Sequence, residues 1–186
     1  MTYRLNHLIS SFIFLGNNVH HEKFKSTGTP FVAVSLKGFF KIGNNFSMHN
    51  GLSGNPIGCN EKCTFVVNSG AQMVFGNNVG ISQSALICTK QINIGNNVKI
   101  GGGCAIYDTD FHSLDAAIRK TDADIKYRKS KPIFIGNNVF IGARSIILKG
   151  VNIGKNSIVG AGSVVTKNIP DNEIWAGNPA KFIRKI

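Results

Sequence analysis

A six-residue rhythm constrains this chain more than any other feature. From Ile135 the deeply apolar positions fall at Ile135, Ile141, Ile147, Ile153, Val159 and Val165. Upstream the same beat gives Phe75, Ile81 and Ile87, then, after a one-residue slip, Ile94, Ile100 and Ile106. Two residues before each apolar position downstream sits a small or β-branched residue: Val139, Ser145, Val151, Ser157, Ser163. An amphipathic helix repeats every 3.6 residues and a half-buried strand every 2, so neither alone fits. Short strands joined by equal corners, three to a coil, do fit. Their first-position aliphatics point inward and stack coil on coil, with parallel strands about 4.8 Å apart.

The corners carry their own signature. Gly-Asn-Asn begins at Gly16, Gly43, Gly76, Gly95 and Gly136, with Gly154-Lys155-Asn156 as a degenerate sixth copy. Gly and Asn suit corners that need positive φ or local hydrogen bonds. Gly136 to Gly154 is 18 residues, one coil of three hexapeptides; Gly76 to Gly95 is 19, a coil plus the slip; Gly95 to Gly136 is 41. The excess of 23 means that a segment leaves the coil after about residue 111. The expected organisation is one all-β domain over 1–186. Its β-helix coils span 41–170, interrupted by a protruding loop at 108–131, with a short tail at 171–186. Residues 1–40 are unassigned, except that Ile9–Leu15 is expected to pack on the body as a helix or strand.

Composition narrows the classes. Only 16% of residues are charged, against about 25% in most soluble domains. No apolar run reaches the length of about 18 that a membrane span needs, and no A-x-A cleavage pattern follows Ile9–Leu15. A cytoplasmic protein without stable membrane insertion is therefore expected. Cys59, Cys63, Cys88 and Cys104 read as small core residues, since no second Cys/His pair at zinc spacing accompanies Cys59 and Cys63. The net charge of +12 comes from scattered residues with modest clusters at Lys126–Lys131 and Lys181–Lys185. No aromatic-interleaved basic motif points to nucleic acid. A phosphate-rich ligand, an acidic glycan or a solvated surface each fits the charge.

The stretch Pro132–Ile186 reads PIFIGNNVFIGARSIILKGVNIGKNSIVGAGSVVTKNIPDNEIWAGNPAKFIRKI. This run of in-phase hexapeptides with an Ala-Gly-Asn-Pro-Ala ending resembles the hexapeptide-repeat acyltransferase superfamily. It is nearest the galactoside, maltose and xenobiotic O-acetyltransferases and the sugar O-acetyltransferases of surface-polysaccharide pathways. The resemblance covers residues 40–186. It implies a left-handed parallel β-helix, a handedness that the period itself does not give. It also implies acetyl-CoA as co-substrate, no metal, a saccharide acceptor, and a homotrimer with active sites between subunits. A flat prism face with apolar spots such as Phe134 and Phe140 is compatible with such a trimer.

The family's catalytic histidine lies in a loop just before the last coils. Here that loop begins Ile106-Tyr107-Asp108-Thr109-Asp110-Phe111-His112, so His112 is the candidate by resemblance and by its place where the rhythm breaks. Acyl transfer from a thioester to a hydroxyl needs a base titrating near neutrality, which histidine supplies. Asp110 is the candidate carboxylate to orient His112, with Asp108 and Asp115 left open. The resemblance puts an oxyanion donor at the Ala143 N–H. It lays CoA against Gly142, Ala143, Gly160, Ala161, Thr166 and Lys167, with Lys181 and Arg184 near the nucleotide phosphates. Phe140 replaces a Trp common at its position. Ser82, Gln83 and Ser84 are the candidate acceptor-side residues.

Three rival functions compete with this reading. A zinc carbonic anhydrase on this fold needs three histidines, and the repeat region after residue 50 holds only His112. An N-acyltransferase for an amino sugar would use the same histidine; those acting on nucleotide-linked amines usually carry an N-terminal nucleotide-binding domain, for which residues 1–40 are short. A non-catalytic scaffold would need neither the protruding segment nor a histidine at its root. His20-His21-Glu22 reads as a surface cluster.

Overall fold

The computed structural model describes residues 2–186. It is a left-handed parallel β-helix of triangular section, with three sheets running its length. Face A stacks His20–His21, Phe39–Ile42, Gln72–Phe75, Gln91–Ile94, Ile133–Ile135 and Asn152–Ile153. Face B stacks Phe24–Thr27, Phe46–His49, Gly80–Ser82, Lys99–Ile100, Phe140–Ile141, Ile158–Val159 and Glu173–Ala176. Face C stacks Phe31–Val34, Thr64–Val67, Ala85–Cys88, Ala105–Tyr107, Ile146–Leu148 and Val164–Val165. All neighbours are parallel except the last strand of face B, Lys181–Lys185, which folds back antiparallel on Glu173–Ala176.

The rhythm becomes a core. Ile135, Ile141, Ile147, Ile153, Val159 and Val165 are all buried, as are Ile81, Ile94, Ile100 and Ile106. Toward the N-terminal end the column thickens into aromatics: Phe40, Phe46, Phe65 and Phe75 pack ring against ring at 5.3 to 6.4 Å. One aliphatic gives way locally: Ile87 turns outward and Leu86 and Cys88 fill the core instead. That inversion is the structural form of the one-residue slip. Cys63, Cys88 and Cys104 are buried, Cys59 is half-buried, and all four are free thiols. Burial pushes the Cys63 thiol up to about 11.

The Gly-Asn-Asn corners divide the labour among their three residues. The second Asn adopts the left-handed region in every copy, with φ of +57° at Asn45, +59° at Asn78, +58° at Asn97 and +61° at Asn138. Its side chain forms a ladder, Asn45 to Asn78 to Asn97 to Asn138 to Asn156 to Asn172. The first Asn accepts from the backbone N–H of the coil before it. The glycine is needed for close approach, not for its φ: a Cβ on Gly95 would lie 2.5 Å from Asn137 Oδ1 and 2.9 Å from Gly136 C.

Two features extend the expected organisation. Coiling starts before residue 41, because His20–His21, Phe24–Thr27 and Phe31–Val34 already pair with the next coil. This first coil has no Ile-Gly signature and is sealed by helix α1, Thr2–Gly16, through Phe14 in the core. A second insertion also leaves the prism, between faces B and C: residues 50–63 with the short helix α2, Gly51–Gly54.

Candidate functional site

The loop after Tyr107 is built around its acids. Asp108, fully buried at the root, accepts from Thr89 N (2.7 Å), Thr89 Oγ1 (2.9 Å), Lys90 N (2.7 Å) and Gln91 N (2.8 Å). Its own carbonyl receives Lys131 N, and Thr109 bridges Ser130, so the loop's two ends are tied together. Asp115 caps helix α3, Ala116–Arg119, accepting from Ala117 N and Ile118 N. A second short helix, α4, spans Asp124–Tyr127.

His112 stands exposed on this loop. Phe111 before it has φ of +64°, an uncommon state for a bulky residue, and its ring is set edge-on to Tyr107 at 5.1 Å. The reversal turns the His112 side chain to Asp124, whose Oδ2 lies 2.6 Å from Nδ1. Asp124 Oδ1 accepts from Ser113 N at 2.7 Å. The His112 hydrogen bond first, and the Ser113 amide second, hold the Asp124 carboxyl below its ordinary value. A carboxylate only accepts, so Nδ1 donates to Asp124 and Nε2 is left without a protein partner, turned to solvent.

The expected orienter is thus corrected. Asp110 pairs with Lys149 Nζ at 2.5 Å and gives His112 only a backbone contact, its carbonyl accepting from His112 N. The residue that orients His112 is Asp124, twelve positions downstream. The signal available for it was the loop itself, which brings its far arm back over its near arm.

The expected donor-side residues separate into groups. Gly142, Ala143, Gly160 and Ala161 stack at the corner between faces B and C. A Cβ on Gly142 would lie 2.5 Å from Ala161 N, so the corner closes only with glycine there. The Ala143 N–H donates to no acceptor among the described residues. Thr166 and Lys167 are exposed at the corner between faces C and A, where the His112 loop also leaves the prism. Lys181 and Arg184 lie exposed on the antiparallel strand closing face B. Within one chain, His112 and Ala143 flank opposite edges of face C.

Gln83 and Ser84 do not face an open site, whereas Ser82 borders a cleft on face B. All three are buried. Ser84 Oγ bonds the carbonyls of Ser82 and Gly101. Gln83, at φ of +43°, donates Nε2 to the carbonyls of Gly51 (2.8 Å), Asn55 (3.1 Å) and Cys59 (2.9 Å). It pins the 50–63 loop along the B–C corner, where Gly102 faces Ile57, and Gly103 faces Cys59 and Arg144. Sequence reading missed this loop, although Gly43 to Gly76 is 33 residues, well beyond one coil. Beside it on face B lies a cleft of about 360 Å³ bordered by Asn55, Ser82, Lys99, Gly101 and Phe140. Among the described residues no three His, Cys, Asp or Glu side chains gather as a metal-ligand set, and no helix is long and apolar enough to cross a membrane.

Comparison with known proteins bears on this site. A family model, the hexapeptide repeat of succinyl-transferase, matches residues 132–167. Protein CapG of Staphylococcus aureus is 53% identical over 95 residues, 51% of this chain and 53% of that protein. The galactoside O-acetyltransferase of Lactococcus lactis subsp. lactis (strain IL1403) is 40% identical over 171 residues, 89% of this chain and 74% of the relative. The chain thus spans from about half to three quarters of these relatives' lengths. Among solved structures, a galactoside acetyltransferase in complex with coenzyme A superposes with a TM-score of 0.53 at 29% identity, over 90% of this chain and 64% of that one.

Proposed function

The chain belongs to the hexapeptide-repeat acetyltransferase family that includes the galactoside O-acetyltransferases, and from that premise we propose that it transfers an acetyl group from acetyl-CoA to a hydroxyl of a saccharide. The observation that carries the reading is the His112–Asp124 pair, an imidazole held at Nδ1 by a carboxylate with Nε2 turned to solvent, on a loop the repeat does not need.

Nε2 takes the acceptor's hydroxyl proton while the oxygen attacks the thioester carbonyl carbon. The resulting oxyanion is met by the Ala143 N–H. When the carbon–sulfur bond breaks, the proton on Nε2 passes to the departing CoA thiolate, and no covalent enzyme intermediate forms. The side-chain-free corner at Gly142 and Gly160 admits the pantetheine arm. Thr166, Lys167, Lys181 and Arg184 supply donors and positive charge for the rest of CoA. The acceptor sits over the face-B cleft, with Phe140 as an apolar platform and Asn55, Ser82 and Lys99 as polar contacts. The 50–63 loop walls that cleft.

A homotrimer supports this arrangement. Phe134 and Phe140, the apolar spots read from the sequence, lie on faces A and B respectively. Face C is the apolar one: Val66, Ile87, Ala105, Ile146, Leu148 and Val164 point outward there. Face A is mixed, with Lys41, Gln72, Asn93 and Asn152 outward beside Phe39, Val74 and Phe134. Three copies packed through face C about a threefold axis set the C–A corner of one copy against the B–C corner of the next. His112 then meets the neighbour's Ala143.

The test is acetyl-CoA consumption against a panel of neutral and acidic saccharides. At least one is expected to be acetylated by the wild type and not by His112→Ala, with the variant's fold checked by circular dichroism. Unchanged turnover in that variant would sink the mechanism.

A further inference from the structure

Helix α1 carries a row of apolar residues on the side facing away from the body. It buries Ser10 and Phe14, and turns out Leu5 (57% exposed), Leu8 (55%), Phe12 (72%) and Leu15 (76%). Their spacing of three and four residues makes one continuous stripe. The body holds the helix by its other side. Phe14 fills the end of the core, Ser10 Oγ donates to Ser26 Oγ at 3.2 Å, and Asn17 Oδ1 accepts from Val34 N. Leu36, at the first C–A corner, is fully exposed at the same end of the prism.

That end is also basic. Across residues 4–42, Arg4, Lys23, Lys25, Lys37 and Lys41 face a single acid, Glu22, and all five cations are exposed. The stripe runs on at Leu8 into an apolar groove of about 700 Å³ between α1 and the first strands of face B. Phe24 and Met48 line it, together with Arg4 and Lys25.

We propose that this cap is a peripheral docking surface for an anionic lipid membrane. The stripe enters the headgroup–acyl boundary and the surrounding lysines meet lipid phosphates. Charge complementarity decides the occupant. A second copy laid stripe to stripe would oppose two ends of like positive charge, whereas an anionic surface neutralises them. If the chain is trimeric, the three parallel prisms present all three α1 helices to one plane, and binding at one favours the others.

The test is cosedimentation of the full chain with vesicles of phosphatidylcholine alone and of phosphatidylcholine mixed with phosphatidylglycerol. Binding is expected to the mixed vesicles, with much less to the neutral ones and a marked loss in high salt. Phe12→Gln with Leu15→Gln is expected to lower the partition coefficient about tenfold or more. Lys23→Glu with Lys37→Glu is expected to lower it for the anionic vesicles. Ile183→Gln, exposed at the opposite end, keeps wild-type binding. Both stripe positions are solvent-exposed, so an unchanged circular dichroism spectrum checks the fold. The proposal falls if the wild type stays in the supernatant with anionic vesicles, or if the double Gln variant binds as wild type does. It falls equally if the stripe variants dissociate an assembly larger than a trimer, which would assign the stripe to a second copy.

Discussion

Asp108 makes a quantitative test of how the His112 loop is anchored. Its carboxyl gathers three backbone N–H groups and the Thr89 hydroxyl, at 2.7 to 2.9 Å, onto a side chain with no solvent exposure. Asp108→Ala removes four acceptor contacts at once. A donor left unmet inside a protein costs about 1–3 kcal/mol. Thr89 and Gln91 are only half-buried and Lys90 is exposed, so water meets part of the loss, and the net expectation is about 3–5 kcal/mol. For a chain of this size that lowers the melting temperature by about 6–20 °C. The isosteric Asp108→Asn is the sharper variant. Its Oδ1 can keep Thr89, but its Nδ2 then points a donor at Lys90 N and Gln91 N, so shape without acceptors does not rescue. Thermal and urea unfolding of both variants would measure this. A loss below about 1 kcal/mol in either one would refute the anchoring role.

Other consequences can be checked singly. Asp124→Asn offers the His112 ring an amide in place of a carboxylate, and turnover is expected to fall about 10²-fold or more. Asp110→Asn leaves the ring's partner intact and is expected to keep most of the activity; the reverse order would overturn the assignment. The depressed Asp124 carboxyl stabilises the loop above the ordinary carboxylate value and loses that contribution only as pH falls through its lower folded value. The carboxylate step followed at the Ser113 amide resonance should therefore have its midpoint below the ordinary Asp value. Gly95→Ala drives a Cβ into the Gly136-Asn137 corner and should cost about 1–3 kcal/mol. Gly16→Ala, in the same tripeptide but with nothing within 4 Å of the added carbon, should be close to neutral by the same unfolding assay.

The coil was legible because stacking imposes one period on every copy. A buried aliphatic, a left-handed Asn and a glycine in contact with the next coil recur at fixed offsets, and each is demanded by a neighbour that is its own repeat. Where that demand lapses, the sequence falls silent. The first coil seals its core with Phe24 beneath Phe14 of the helix, and large aromatics need no fixed hexad. The two insertions show up only as intervals that exceed a coil, and only the longer one was read. Inside the His112 loop, linear proximity misled. Asp108, Asp110 and Asp115 stand near His112 in sequence, yet they serve a turn, a lysine and a helix cap. Asp124 reaches the ring because the loop doubles back, a tertiary fact with no local signature. Gln83 and Ser84 do not reach a site for a related reason: polar residues at a coil corner look like surface until the 50–63 loop covers them, and only Ser82 still borders a cleft.

The separation of His112 from Ala143 by the width of face C leads to the strictest test of the shared site. If the base of one copy works on the donor corner of the next, two differently damaged chains should complement each other. His112→Ala lacks the base; Ala161→Trp places a large ring on an exposed residue of the donor corner and blocks it. Each is expected to be inactive alone. Mixed by unfolding and refolding together, they form trimers in which some junctions join an intact His112 loop to an intact corner. With random assembly in equal amounts, about a quarter of all junctions are intact on both sides, so about a quarter of wild-type activity should return. A site contained within one chain gives the opposite result, because no chain in the mixture holds both intact halves. Activity that stays at the background of the separate variants, in a mixture shown by tagging to contain hybrid trimers, would rule out the inter-subunit site and leave the apolar face C to be explained by assembly alone.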